Sequence, residues 1–300
     1  MRAAAFLVFL LCTSPALAVT YYASTTGTGT DCTSGTPCKL HDGLEKVVAG
    51  DTLILKGTVA LPQTYTFANS GSSAAGSNAV LGLTDVDIDS GTAGNVITVS
   101  AEEPGGVTLD GNHAVDGAFA LHTGGKDYWT FSGLNCKRGK DDTIRIASAS
   151  DFITLDNIMA WDGWDGDANI GKVLSVGNTG STPATNWKAI NSGFFGTGRK
   201  TVTAAQAGDN GVFRNNFVMH LGAAAADAQP TGSLEYYYNN EGNKWLDNNV
   251  FWNTSGETNQ YGLGMTAVPT VTTGSGANGN YQGGLIAGDI HILRAGDSWP

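Results

Sequence analysis

The chain has 300 residues, of which 42 are glycine, 14% are charged and 41% are hydrophobic; this charge content is too low for a coiled coil or helical bundle, while the apolar share is enough for a core. Eight prolines and no G-X-Y period exclude a collagen-like or low-complexity chain and predict short apolar strands between tight turns. A formal net charge of −11 repels phosphate backbones, which excludes nucleic acid as a partner and leaves an acidic polymer dependent on cations that bridge it.

In chain order, Arg2, the apolar run Ala3 to Leu11 and the small-residue site Ala16-Leu17-Ala18 form the three parts of a secretory signal peptide over residues 1–18. The apolar run is too short to span a bilayer, and no later stretch is longer. The mature chain, 19–300, is therefore expected to be secreted and extracellular, with no membrane contact after cleavage. In an oxidising compartment Cys32 and Cys38, six residues apart across Gly35 and Pro37, suit a small disulfide loop. Cys136 lies near Trp129 and Leu134 and reads as a buried, inert thiol.

Leu40, Leu44, Val47 and Val48 follow helical spacing, and Thr52-Leu-Ile-Leu55 reads as a strand. A short amphipathic helix here would cover the open end of a stack of strands, which otherwise invites aggregation. The capping region is placed at about 19–60 and the repeating part at about 95–293.

That repeat is carried by VTLDGN (Val107 to Asn112), WTFSGL (Trp129 to Leu134), ITLDNI (Ile153 to Ile158), AINSGF (Ala189 to Phe194), VFRNNF (Val212 to Phe217) and WLDNNV (Trp245 to Val250). Each has Gly or Asn in its fifth place: Gly111, Gly133, Asn157, Gly193, Asn216 and Asn249. These residues enter the left-handed region most cheaply, so a bend made once per coil selects them, and stacked asparagines add amide ladders. The first place is always apolar. The third is apolar only in the first three segments, so either the strand register shifts by one residue or the last three segments are misaligned.

Tyr21-Tyr-Ala-Ser24, Gly35-Thr-Pro37, the helix through Val48 and Ala49-Gly-Asp-Thr-Leu-Ile-Leu55 together resemble the start of secreted proteins of the pectate-lyase-like superfamily, and the repeat extends the likeness to about Trp252. The resemblance implies an all-β chain folded as a right-handed parallel β-helix, a single-stranded solenoid, with a short N-terminal capping helix. That fold hosts lyases, hydrolases, epimerases, adhesins and tailspikes, so function has to be argued from a site.

Eight residues past the bend, Asp141 and Asp165 are expected to stack one strand spacing apart, about 4.8 Å. Asp142, Asp162 and Asp167 lie around them, and five carboxylates so close call for a hard cation such as Ca²⁺; a solvated acidic turn is the alternative. One coil on, Arg199 and Lys200 fall at offsets six and seven. A cation patch beside a basic pair is what β-elimination on a uronic acid requires: the metal binds the carboxylate and acidifies C5, and Lys or Arg withdraws the proton. This division of labour is typical of the superfamily's calcium-dependent lyases. Lys140, Lys172, Arg214 and His220 are reserve candidates for the base. Trp161 and Trp164 flank the acidic loop, and with Arg214 and Tyr237 they are the candidate substrate contacts, the rings offering flat apolar platforms to sugar faces.

The expected function is a calcium-assisted lyase acting on an acidic polysaccharide. Two alternatives stay open: a β-helical glycoside hydrolase using a carboxylate pair among Asp141, Asp142, Asp162 and Asp165, and a non-catalytic glycan-binding or adhesion solenoid. After Trp252 the repeat fades into a Gly/Asn/Thr-rich stretch and a strand-like Leu285 to Leu293, which leaves the C-terminal edge to a second copy of the chain or to further coils.

Overall fold

The computed structural model describes residues 17–71, 78–114, 119–163, 171–177, 182–196, 200–205, 208, 210–220, 232–237, 244–247, 249–253, 263–265, 281–284 and 290–292. After β1 (Thr20–Ala23) and α1 (Leu40–Lys46), the chain winds through coils of three strands each. The first coil is β2 (Thr52–Leu55), β3 (Gln63–Thr66) and, after the one-turn helix α2 (Phe67–Ser70), β4 (Ala79–Gly82). The second is β5 (Ile97–Ala101), β6 (Val107–Asp110) and β7 (Phe119–His122), and the third β8 (Trp129–Ser132), β9 (Asn135–Lys137) and β10 (Asp142–Ile146). The fourth is β11 (Ile153–Asp156), β12 (Met159–Trp161) and β13 (Lys172–Gly177), and the fifth β14 (Lys188–Ile190), β15 (Gly193–Gly196) and β16 (Lys200–Ala205). The sixth is β17 (Gly211–Arg214), β18 (Phe217–His220) and β19 (Gly232–Tyr237), and the seventh β20 (Lys244–Asp247), β21 (Val250–Asn253) and β22 (Leu263–Met265); β23 (Tyr281–Gly284) and β24 (Ile290–Ile292) follow.

Successive coils stack, so each strand pairs with its equivalent before and after. Sheet 1 runs β1-β2-β5-β8-β11-β14-β17-β20, sheet 2 β3-β6-β9-β12-β15-β18-β21-β23-β24, and sheet 3 β4-β7-β10-β13-β16-β19-β22. Every pair among the described strands is parallel except β23 with β24. This is a parallel β-helix. Its core includes three in-register columns, one per sheet. Sheet 1 contributes Leu53, Val99, Phe131, Leu155, Ala189 and Phe213, sheet 2 Leu109, Cys136, Ala160, Phe194 and Val218, and sheet 3 Leu81, Leu121, Ile144, Leu174 and Val202. All are at most 1% exposed, and each large apolar side chain withdrawn from water contributes about 1.5–3 kcal/mol. Cys136 is thus a core residue whose thiol pKa is raised by burial, consistent with an inert role.

Helix α1 packs on β1 and β2 through Leu40 and Leu44. Gly43 permits this closeness, because a Cβ there would lie 2.7 Å from Leu53. The helix ends before Val48, which is exposed. Cys32 and Cys38 are joined by a disulfide in the loop between β1 and α1. Coiling begins at Thr52 rather than near residue 95, since Gln63–Thr66 and Ala79–Gly82 already complete a first coil.

The corners between sheets explain the repeat. From sheet 1 to sheet 2 the turn is two residues long in the third to seventh coils: 133–134, 157–158, 191–192, 215–216 and 248–249. The first residue of each described turn, Gly133, Asn157, Asn191 or Asn215, has positive φ. Gly133 and Asn157 match the sequence expectation. Gly193 does not, since it opens β15, and Asn216 lies one residue past the bend. VTLDGN belongs to sheet 2 rather than sheet 1. The register is constant and the last three segments were misaligned: Ile153 stands above Trp187 and Gly211. Two side-chain columns knit the corner together. Outside, Asn215 Nδ2 donates to Asn191 Oδ1 (3.1 Å) and Asn191 Nδ2 to Asp156 Oδ1 (2.8 Å). Inside, Asn216 and Asn249 satisfy buried backbone groups, with Asn216 N donating to Asn249 Oδ1 (2.9 Å) and Asn249 Nδ2 to the Phe213 carbonyl (2.9 Å).

Candidate functional site

The outer face of sheet 3 carries a compact charged cluster. Asp142 opens β10, and its carboxylate is fully buried. Arg145, three residues further along the same strand, donates to Asp142 Oδ2 through Nε (2.8 Å) and Nη2 (2.5 Å). From the next coil, the Lys172 backbone N–H donates to Oδ1 (3.2 Å), and Lys172 Nζ stands 3.7 Å from the same oxygen. Burial alone would raise the Asp142 pKa, but Lys172 and Arg145 outweigh it and hold the carboxyl below its ordinary range. Arg145 also lies over the Phe119 ring, 4.5 Å from its centroid, and the His122 ring is 4.7 Å from the same ring. Burial first, and the Arg145 charge second, push the His122 pKa down to about 4, so this imidazole is neutral at neutral pH. Its Nδ1 accepts from the Gly124 N–H (3.1 Å).

Backbone register extends the cluster by one coil. Asp142 pairs with Lys172 and Lys172 with Lys200, which sets the three Cα atoms at successive strand spacings of about 4.8 Å. Two cationic side chains, Arg145 and Lys172, each 19% exposed, surround one carboxylate, so these three groups together carry one net positive charge. Their chemistry suits an anionic group arriving from solvent.

The candidate residues separate accordingly. Asp142 and Lys200 lie in one column, where Lys172, a reserve candidate, joins them; only the backbone of Lys200 is described. Asp142 does not fit a calcium site, because both its oxygens are held by cationic side chains or an N–H. Asp162 turns the corner between sheets 2 and 3 at positive φ, and its Oδ2 lies 3.5 Å from His113 Nε2. Asp141, Asp142 and Asp162 do not converge on a common point among the described residues. Asp165, Asp167, Trp164 and Arg199 lie outside the described residues, and of Tyr237 only the backbone is described. Counting eight residues from the bend does not follow the register of sheet 3: Asp142 pairs with Lys172, with residues 162–171 between β12 and β13 and residues 138–141 between β9 and β10. Trp161 is partly exposed on sheet 2, in register with Phe195. Arg214 belongs to the end of β17 in sheet 1, in register with Ile190 and Asp247, which separates it from the sheet 3 cluster. Sequence reasoning missed Arg145, His122 and Phe119; the signal for Arg145 was its three-residue spacing from Asp142.

A separate open groove of about 570 Å³ follows the corner from sheet 1 to sheet 2, lined by Asn157, Asn191 and Asn215 on one side and Met159, Phe195 and Phe217 on the other.

Among solved structures, pectate lyase Pel9A is similar over 83% of this chain and 68% of its own, with 15% identity and a TM-score of 0.52. The chain has the fold of that parallel β-helix. A rhamnogalacturonan lyase (15% identity, 78% and 68% covered, TM-score 0.49) and an alginate lyase from Paenibacillus sp. str. FPU-7 (13% identity, 84% and 92% covered, TM-score 0.45) are also similar. No family model and no curated protein matches the sequence. At these identities the likeness concerns the β-helix alone. No helix among the described residues is long and apolar enough to cross a membrane.

Proposed function

We propose that this β-helix is a secreted polysaccharide lyase that cleaves an acidic polysaccharide by β-elimination on the outer face of sheet 3. The observation that carries the reading is the column of Asp142, Lys172 and Lys200 with Arg145 beside it. The surplus positive charge there complements a uronate carboxylate in a partly buried setting, where it is screened less than at an open surface. Asp142 acts as a positioning residue by fixing Arg145 and Lys172 in place. The carboxylate of the bound uronate sits against Lys172, which stabilises the negative charge that develops when C5 loses its proton. Lys200, assisted by Arg199, takes that proton. The C5–H electrons become the C4–C5 double bond, the C4–O bond breaks, and the departing oxygen takes a proton, so one chain end leaves as an alcohol and the other carries an unsaturated uronate. Calcium assistance rests on Asp141, Asp165 and Asp167. Trp161 and Trp164 are the proposed platforms for neighbouring sugar rings.

The test is a panel of polyuronates, with and without chelator, followed by the ultraviolet absorbance of the unsaturated product. Absorbance should rise on at least one polymer and fall about 10²-fold or more in Lys200→Ala. Absence of a rise on every polymer sinks the lyase reading, and new reducing ends without absorbance point to hydrolysis. Turnover that survives the chelator removes calcium from the proposal. The groove with its asparagine amides and aromatic rings favours a second reading, glycan binding without turnover, which predicts binding that persists in Lys200→Ala and Lys172→Ala with no product from any form.

A further inference from the structure

Far from sheet 3, three potential metal ligands meet where α1 lies against the first coil. His41 and Glu45 stand one helical turn apart on α1, and Asp85 comes from the turn that leaves β4. His41 Nε2 is 3.2 Å from Glu45 Oε1 and 3.5 Å from Asp85 Oδ2, and all three ligand atoms lie within 4.8 Å of one another. Ligand atoms on a tetrahedral zinc with bonds of about 2.0–2.2 Å sit roughly 3.3–3.6 Å apart; the 3.5 Å separation matches an edge of that tetrahedron and the 3.2 Å one lies just under it. Asp85 is oriented for the role: its Oδ1 accepts the Asp87 N–H (3.3 Å), leaving Oδ2 for His41. Such outer contacts are what fix ligating carboxylates in metal sites.

The charge balance points the same way. Two carboxylates approach within 4.8 Å, and among the described residues the basic side chain paired with them is this histidine. The His41 side chain is 10% exposed, and its Nδ1 is buried without a hydrogen-bond partner. A dication on Nε2 would compensate both carboxylates, with the ring's remaining N–H at Nδ1. One nitrogen and two carboxylates are a poor set for Ca²⁺, which takes six to eight oxygens, and a good one for zinc with a fourth position open to water. Glu45 and Asp85, 40% and 27% exposed, leave that position an entry path.

We infer that His41, Glu45 and Asp85 form a zinc site that clamps α1 onto the first coil of the β-helix. This inference is independent of the proposed lyase chemistry. The full-length mature protein, stripped with chelator and dialysed, should bind one Zn²⁺ at this site in calorimetry and melt at higher temperature with zinc than with chelator. Glu45→Gln and Asp85→Asn, both isosteric and at partly exposed positions, should each weaken zinc binding roughly 10–100-fold and remove the zinc-dependent part of the melting shift. The inference is overturned if zinc does not saturate the wild type, if both variants bind it undiminished, or if they lower the melting temperature equally in zinc and in chelator. That last result would mean the cluster is a metal-free ion pair.

Discussion

Replacing Asp142 by Asn separates two accounts of the same carboxylate. In the structure it is a fully buried anion that accepts from Arg145 Nε and Nη2 and from the Lys172 N–H, with Lys172 Nζ at 3.7 Å. Asn preserves the shape and can still accept the Lys172 N–H, but its neutral amide cannot balance Arg145, and one rotamer sets an NH₂ against the guanidinium. Breaking one side of a buried ion pair typically costs 3–5 kcal/mol because a charge is left uncompensated. Each hydrogen bond to a charged group is worth about 1.5–3 kcal/mol, so two bonds to Arg145 give a loss of the same size. We therefore expect Asp142→Asn to be about 4 kcal/mol less stable in urea unfolding at neutral pH, with an unchanged slope against denaturant, and the loss should be equal in calcium and in chelator. If Asp142 were instead a calcium ligand, as its place in the Asp141–Asp167 cluster predicts, the difference between wild type and variant would shrink when calcium is removed. That shrinkage, or a loss below about 0.5 kcal/mol, refutes the ion-pair account.

His122 supplies a pH signature. Its folded pKa of about 4 lies below the ordinary 6.5, so the unfolded chain binds more protons between those values and stability falls as pH drops from about 6.5 towards 4, by up to about 3 kcal/mol. His122→Gln should flatten this slope, and an identical slope in both proteins argues against it; the Asp142 carboxyl, held below its ordinary range, adds acid sensitivity only at still lower pH. Gly211→Ala should cost about 1–3 kcal/mol by overpacking, because a Cβ there would lie 2.5 Å from the Trp187 ring atoms Cε2 and Cζ2. A thermal midpoint equal to wild type would mean that the ring shifts freely in that coil.

What could be read from sequence follows from which corner of the coil keeps its length. The turn from sheet 1 to sheet 2 is two residues in the third to seventh coils, so Gly133 and Asn157 recur at a fixed distance from the strands they join, and the solenoid shows in the pattern. Even there the reading slipped at Ala189, Val212 and Trp245. Gly193, two residues past the bend at Asn191, and Asn216, beside the bend at Asn215, each offered a second small or amide residue, and Asn216 holds its place for a different reason, satisfying buried backbone groups. Helix α1 and β2 were legible because Leu40, Leu44 and Thr52–Leu55 follow simple periods.

The corner from sheet 2 to sheet 3 behaves in the opposite way, and the charged cluster of Asp142, Arg145 and Lys172 lies beside it. Its connections run over 111–118, 138–141, 162–171, 197–199 and 221–231, so an offset counted from the bend loses meaning after one coil. Stacking pairs Asp142 with Lys172. The variation is also what gives such a site its freedom: strands hold the register that brings Asp142, Lys172 and Lys200 into one column, while the connections above them can change length without disturbing the core columns beneath. A carboxylate placed in that column meets the cations of its neighbours whatever its distance from them along the chain. The cluster of aspartates from Asp141 to Asp167 therefore divides, with Asp142 drawn into the sheet as the anchor of Arg145 and Lys172, and Asp162 drawn to His113 at the corner.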